Sequence, residues 1–383
     1  MRYFILAGEA SGDNLGALLM ERMRDFDSEA EFGFWGGDAM TEVAQQTQPG
    51  ILPGRHIKEL AFMGFAEVVA NLPTILGFIK QAKKDVAKFN PDVLICIDYP
   101  GFNLRMSKWA KARNIRVEFY VSPQIWAWRQ SRVHKIMRDT DRVICILPFE
   151  QGFYKSYGYD VAYTGNPLPK RIDEHVAPEK LVVQSLSGEQ VVEHKVLALL
   201  PGSRVQEVSK HLPIMLEALQ VLRKRNPELA DLQPVIAAAP VLSDEQLTAF
   251  AKTYDVTWVR NSYDLLSHAT MACVASGTAT LETALFGVPQ VVCYKGSSLS
   301  VMLARKLIKV DYIALANLIC DAPVVPELIQ EDFTAEKLAD HLLKLYAGKA
   351  RTEQENGYTE LRTRLLPYDA TEAAAKLIFE GCN

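Results

Sequence analysis

The sequence lacks most of the features that assign a function class at once. It has no uninterrupted apolar run of the roughly twenty residues that a membrane-spanning helix needs. Its most apolar stretch, residues 60–79, is broken by Glu67, Asn71 and Pro73. The N-terminal apolar run, residues 3–7, is too short for a signal peptide. No basic tract is present, and 42 Lys and Arg against 46 Asp and Glu leave a net charge of -4, so nothing points to nucleic acid. Cysteine is sparse: Cys96, Cys145, Cys273, Cys293, Cys320 and Cys382 show no CxxC spacing, and most stand in apolar, strand-like runs. They read as reduced core residues of a cytosolic protein, not as disulfides or zinc ligands. The first strand is not followed by GxGxxG, which argues against a dinucleotide site, and GxxxxGK[ST] is absent, which argues against a P-loop. No His/Cys metal-ligand spacing is evident, and no metal or other cofactor is expected.

What is present is enough apolar residue, 49% of 383 positions, to fill two cores. Strand-like and helix-like patterns alternate throughout, which predicts an α/β chain with parallel sheets. Strands are expected at residues 3–7, 32–35, 92–97, 116–121 and 142–146, with helices at 15–26, 103–113 and 133–138. The rhythm stops near Gly165-Asn166-Pro167 and resumes with strands at 195–200, 235–239, 257–259, 271–275 and 290–294. The reading is two doubly wound domains, 1–168 and 195–366, joined by a polar linker, 169–194, and followed by an Ala-rich tail helix within 367–383 that packs on an N-terminal domain.

Open α/β sheets bind ligands at the carboxyl ends of their strands, so the loops there should carry the chemistry. Ser276, Gly277 and Thr278 form a small, hydroxyl-bearing turn at a helix N-terminus, suited to an anion; Glu282, one turn on, could accept hydrogen bonds from a ribose. Gly202, Ser203 and Arg204 follow another strand, and the guanidinium could grip two pyrophosphate oxygens. In the first half, Gly8, Glu9, Ser11, Gly12 and Asp13 form a glycine-bearing loop in which Ser11 and Asp13 could cap the following helix. Asp98 ends an apolar strand where a general base would sit, and Asn103 offers the cap of the next helix. Ser122, Trp126, Trp128 and Arg129 belong to a loop whose tryptophans could stack a sugar or cover an acyl chain, or simply pack beneath the loop. Phe62, Met63, Phe65, Val68, Val69, Leu72 and Leu76 crowd one apolar segment, with Lys80, Lys83 and Lys84 directly after it. An apolar surface rimmed by lysines suits an anionic bilayer, while a buried core helix is the plainer reading.

Taken in order, GEASGD, ELAFMGFAEV, DYPGFN, YVSPQIWAWR, LLPGSR and ASGTATLE resemble the lipid A disaccharide synthase family over nearly the whole chain. DYPGFN and YVSPQIWAWR are specific to that family; LLPGSR and ASGTATLE also occur more widely in glycosyltransferases of the GT-B type. The resemblance implies two Rossmann-like domains facing a cleft, with the donor in the C-terminal one. It implies inverting, metal-independent transfer of 2,3-diacylglucosamine from its UDP derivative to 2,3-diacylglucosamine 1-phosphate, giving the β-1,6-linked disaccharide and UDP. Asp98 is the expected base, with Glu9 as runner-up. The expected donor set is Gly202, Ser203, Arg204, Ser276, Gly277, Thr278, Glu282 and Asn317. The protein is expected in the cytoplasm, in peripheral contact with the inner membrane, and a homodimer is left open. Many relatives have His where this chain has Asn166, so no role of that His carries over. Two rival readings fit the same fold: a UDP-N-acetylglucosamine 2-epimerase-like isomerase and a non-catalytic lipid-binding protein.

Overall fold

The computed structural model describes residues 1–60, 72–128, 130–239, 242–296 and 310–381. The chain divides into two compact units, one made of residues 1–167 and 365–383, the other of residues 168–364.

The first unit is built on a parallel sheet of β1 (Arg2–Ala7), β2 (Glu31–Trp35), β3 (Val93–Ile97), β4 (Arg116–Tyr120), β5 (Arg142–Cys145) and β6 (Ala162–Tyr163), in the order β2-β1-β3-β4-β5-β6. Its central strands are continuously apolar because helices cover both faces. Along β1, Tyr3, Ile5 and Ala7 join one core and Phe4 and Leu6 the other. The first core also holds Leu19 and Met20 of the helix Ala10–Phe26, and Ala374, Ala375 and Ile378 of the helix Ala370–Glu380. The tail helix thus lies on the first unit. The second core takes Ile79, Ala82 and Val86 of the helix Leu72–Phe89 and Met106 of the helix Pro100–Lys111.

The second unit carries β7 (Val182–Ser185), β8 (Gly188–Val191), β9 (Val196–Leu200), β10 (Gln233–Ala237), β11 (Thr257–Val259), β12 (Ala269–Ala275), β13 (Gln290–Tyr294) and β14 (Glu327–Ile329). Their order is β14-β13-β12-β9-β10-β11-β7-β8; β9 to β14 run parallel, and β7 pairs antiparallel with both β11 and β8. Residues 169–194, expected to be a linker, therefore belong to the second unit and hold a short helix, Leu168–Asp173, and an edge hairpin. Only Leu181 and Val183 of the hairpin region are buried, and all of β8 is exposed. An edge strand with so little buried surface shows no clear hydrophobic period, which is why the segment reads as unpatterned.

Candidate active site

At the carboxyl ends of β1, β3, β4 and β5 the first unit gathers acids and distorted backbone. Asp98 and Tyr99 both adopt left-handed conformations, with φ of 43° and 48°, and so does Val121 after β4, with φ of 65°. A β-branched residue there is a genuine outlier, and each such residue costs of order 1–3 kcal/mol. The distortion is held by neighbouring strands: the Asp98 N–H donates to the Tyr120 carbonyl at 3.2 Å, and the Val121 N–H to that of Ile144 at 3.1 Å. Asn103 is fully buried, and its Nδ2 donates to the carbonyls of Leu6, Ile97 and Asp98 at 3.3, 3.1 and 2.8 Å. It fastens the ends of β1 and β3 instead of capping the helix, which begins at Pro100 with Tyr99 in the cap position.

Burial pushes the Asp98 carboxyl up to about 6, and the neighbouring Glu9 carboxylate adds to the rise. Glu9 itself is exposed, at the start of the helix Ala10–Phe26. Ser11 is exposed and Gly12 buried. Gly8 admits no side chain, since a Cβ would lie 2.4 Å from the Tyr99 ring. Asp13 does not cap its own helix. Its Oδ1 accepts the N–H groups of Gly37 and Met40 at 2.6 and 3.2 Å and its Oδ2 that of Ala39 at 3.1 Å, so it caps the helix Asp38–Gln45.

The two tryptophans have different fates. Trp126 is buried, with its indole N–H on Glu150 Oε1 at 3.1 Å and its ring edge-to-face with Phe149. Trp128 is 44% exposed, beneath the Arg132 guanidinium. Ser122 is buried, its hydroxyl 2.9 Å from that of Tyr154. Arg129, Phe62, Met63, Phe65, Val68 and Val69 lie outside the described residues. Leu72 opens the helix Leu72–Phe89, where Leu76 is exposed.

Glu150 was not singled out from the sequence. It is fully buried in the helix Pro148–Lys155, accepts the Leu147 N–H at 3.1 Å as well as the Trp126 indole, and lies close enough to Asp98 for their charges to interact. Burial pushes its carboxyl up to about 8, outweighing the hydrogen bonds that favour the charged form. Its signal was faint: a proline and then a glutamate in a helix first turn normally mean only a cap.

The second unit holds the expected anion turns. Gly202 has φ of 125°, and Ser203 and Arg204 are exposed. Glu207 occupies this turn: its carboxylate accepts the Ser203 N–H at 3.0 Å and pairs with Arg204 at 3.2 Å. An incoming phosphate would have to displace that carboxylate to use the same donors. Gly277 has φ of 152° and open space where a side chain would stand, and Thr278 begins the helix Thr278–Leu285. Ser276 is drawn aside, its hydroxyl donating to the Ile313 carbonyl at 3.2 Å. Glu282 accepts the Tyr263 hydroxyl at 3.0 Å; burial raises its pKa, while Tyr263 and Arg171 work in the other direction. Asn317 is buried, its amide engaged with Val325 N–H and carbonyl at 2.8 and 2.9 Å and with Glu327 at 2.9 Å. It braces a loop rather than presenting a free amide to a ligand. Two Asp-x-Asp spacings, at Asp25 with Asp27 and Asp139 with Asp141, are engaged by cations: Asp27 by the N-terminal ammonium, Asp139 by Arg138 and Asp141 by Lys111.

The family model described as lipid-A-disaccharide synthetase matches residues 3–379. The chain belongs to the lipid-A-disaccharide synthase family. The lipid-A-disaccharide synthase of Nitrosococcus oceani is 39% identical over 352 residues, covering 91% of this chain and 88% of the relative. That of Myxococcus xanthus is 35% identical over 383 residues, covering 99% and 97%. Among solved structures, the UDP-GlcNAc 2-epimerase of Neisseria meningitidis bound to UDP-GlcNAc aligns with a TM-score of 0.65 at 11% identity, over 99% of this chain and all of that one. The glycotransferase of kitacinnamycin aligns with a TM-score of 0.64 at 14% identity, over 99% and 98%. Such low identities show only the shared fold, the GT-B fold with its two Rossmann-like units. Family membership makes the chain a glycosyltransferase, and the isomerase reading is not favoured.

Proposed function

We propose that this lipid A disaccharide-forming glycosyltransferase joins UDP-2,3-diacylglucosamine to 2,3-diacylglucosamine 1-phosphate in one inverting displacement, with Asp98 as the base. The acceptor's 6-hydroxyl gives its proton to the Asp98 carboxylate as its oxygen bonds to the donor's anomeric carbon. The bond from that carbon to the phosphate oxygen breaks, and UDP leaves with the electron pair. The observation that carries the reading is the placement of Asp98: a carboxyl beyond a strained strand end, raised to about 6, is still ionised at neutral pH yet basic enough to take a proton. Glu9, beside it, is the alternative base.

The proposed donor site lies in the second unit. Arg204 and the N–H groups of the turns at 202–204 and 276–278 meet the pyrophosphate charge without a metal, and Glu282 holds the ribose. The proposed acceptor side lies at residues 8–13, 98–103 and 122–128 of the first unit.

Peripheral membrane contact is part of the same proposal. Among the described residues no helix is long and apolar enough to cross a membrane. On the helix Leu72–Phe89, Leu76 is 53% exposed and shares a face with the exposed Lys80 and Lys84, opposite the buried Ile79, Ala82 and Val86. An apolar and cationic face of this kind supports contact with an anionic bilayer.

The deciding experiment is Asp98→Asn, assayed for UDP release from the two lipid substrates. Turnover should fall at least about a hundredfold, the scale of a lost general base. UDP affinity should stay unchanged. Near-normal turnover would move the role to Glu9, for which Glu9→Gln is the parallel variant.

A further inference from the structure

His211 lies in the second turn of the helix Val205–Arg225 and is fully buried. Both of its ring nitrogens are engaged. Nδ1 lies 2.7 Å from the Pro201 carbonyl oxygen, and Nε2 lies 3.0 Å from the Lys295 backbone nitrogen. A carbonyl can only accept and a backbone N–H can only donate, so the two contacts define the ring's state: Nδ1 carries the proton and Nε2 is bare. The Phe333 ring packs against the imidazole at 5.7 Å and the Tyr294 ring at 6.2 Å, which restrict its movement. Burial lowers its pKa, in keeping with a neutral ring.

The two partners belong to different strand ends. Pro201 opens the turn after β9, and Lys295 directly follows β13. In the sheet, β12 lies between these two strands, and the turn bearing Ser276, Gly277 and Thr278 follows β12. One ring therefore ties together the segments on either side of that turn. A pyrophosphate carries two phosphates at a fixed separation, and a pair of anion turns can serve it only while their own separation is held.

We propose that His211 is a positioning residue of the donor site, a neutral imidazole that fixes the 201–204 turn and the end of β13 around the 276–278 turn so that both turns reach one pyrophosphate. This rests on the donor-site reading above. The ring touches no substrate; it acts through the carbonyl of Pro201 and the amide of Lys295. It also accounts for a histidine placed where any apolar side chain would satisfy the core.

The test compares UDP with UMP by titration calorimetry on the full chain, with no lipid present. His211→Leu removes both tethers. His211→Asn can keep a donor near Pro201, and His211→Gln can keep an acceptor near Lys295. Losing one such hydrogen bond is worth about tenfold in affinity. His211→Leu should therefore weaken UDP at least about tenfold, with UMP, whose single phosphate does not span the two turns, weakened much less. The Asn and Gln variants should fall between Leu and the parent. With saturating acceptor, the KM for the UDP-sugar should rise more than kcat falls. Equal losses for UDP and UMP in variants that melt at the parent temperature would overturn the proposal, as would unchanged UDP affinity. If His211→Leu fails to fold, the Asn and Gln variants decide by the same ratio. Arg204→Ala and Glu282→Ala run alongside: if neither weakens UDP, the donor site itself is misplaced, whereas if both do and the His211 variants do not, only the role of His211 fails.

Discussion

Asp98 is a residue whose charge works against folding. Its carboxyl rises from an ordinary 3.8 to about 6 in the native state. Between those values the folded chain holds a proton that the unfolded chain has lost, and above about 6 the native state carries the whole cost of a buried charge. Asp98→Asn should therefore raise the melting temperature at pH 8 and change it little at pH 4, while removing turnover. For the parent, kcat/KM should fall about tenfold per pH unit below about 6, because only the carboxylate accepts the proton. A pH–rate profile flat down to pH 5 would remove Asp98 as the base. Glu150 gives a second prediction. Glu150→Ala leaves the buried Trp126 indole N–H and the Leu147 N–H without their acceptor, and should cost about 1–3 kcal/mol of stability in denaturant titrations. Residues of these two kinds differ in legibility. Asp98 could be found from the sequence because an acid ending an apolar strand is visible as a break in a pattern. Asp13 could be seen but not placed, since its partners begin 24 positions away and no local spacing encodes them. Asn103 and Asn317 look like ligand groups until their carbonyl and amide partners are known.

Elements were more legible than their margins. The central parallel strands are buried on both faces, so their sequences are nearly pure apolar runs, and β1, β3, β9, β12 and β13 could be placed to within a residue or two. The hairpin of β7 and β8 was missed because it buries so little. The turn after β12 and its helix were legible because an apolar run leads into Ser276-Gly277-Thr278 and the helix pattern that follows is closed by Gly287 and Pro289; in the structure Gly277 takes φ of 152°. The partner of Glu282 was not legible, because Tyr263 stands 19 positions earlier on another helix. The pairing leads to a graded expectation for UDP titrations. Glu282→Ala should weaken binding by roughly tenfold or more, the worth of a charge-assisted hydrogen bond. Tyr263→Phe should weaken it less, since it withdraws only the donor that orients the carboxylate and lowers its pKa. Equal affinities for parent and Glu282→Ala would take the ribose role from Glu282.

For the whole molecule, two expectations concern surfaces and connections. If the exposed face of the helix Leu72–Phe89 meets anionic lipid, then Leu76→Glu combined with Lys80→Glu and Lys84→Glu should reduce cosedimentation with phosphatidylglycerol vesicles without shifting the melting temperature. Unchanged cosedimentation would locate the contact elsewhere. The sequence reading puts the tail helix on an N-terminal domain and makes residues 169–194 a linker; in the structure residues 169–194 belong to the second unit, while the tail completes one of the first unit's two cores with Ala374, Ala375 and Ile378. Arg142 is engaged there, its guanidinium donating to the Leu377 carbonyl near the tail helix C-terminus, while a second contact stacks Phe379 on Phe26. The order of synthesis is thereby the reverse of the order of completion. A ribosome makes the first sheet first, yet one of its cores must wait for Ala374, Ala375 and Ile378 until the tail helix emerges, whereas residues 168–364 form a continuous segment that can close on its own beforehand. The half of the protein begun earliest is the half that is finished last.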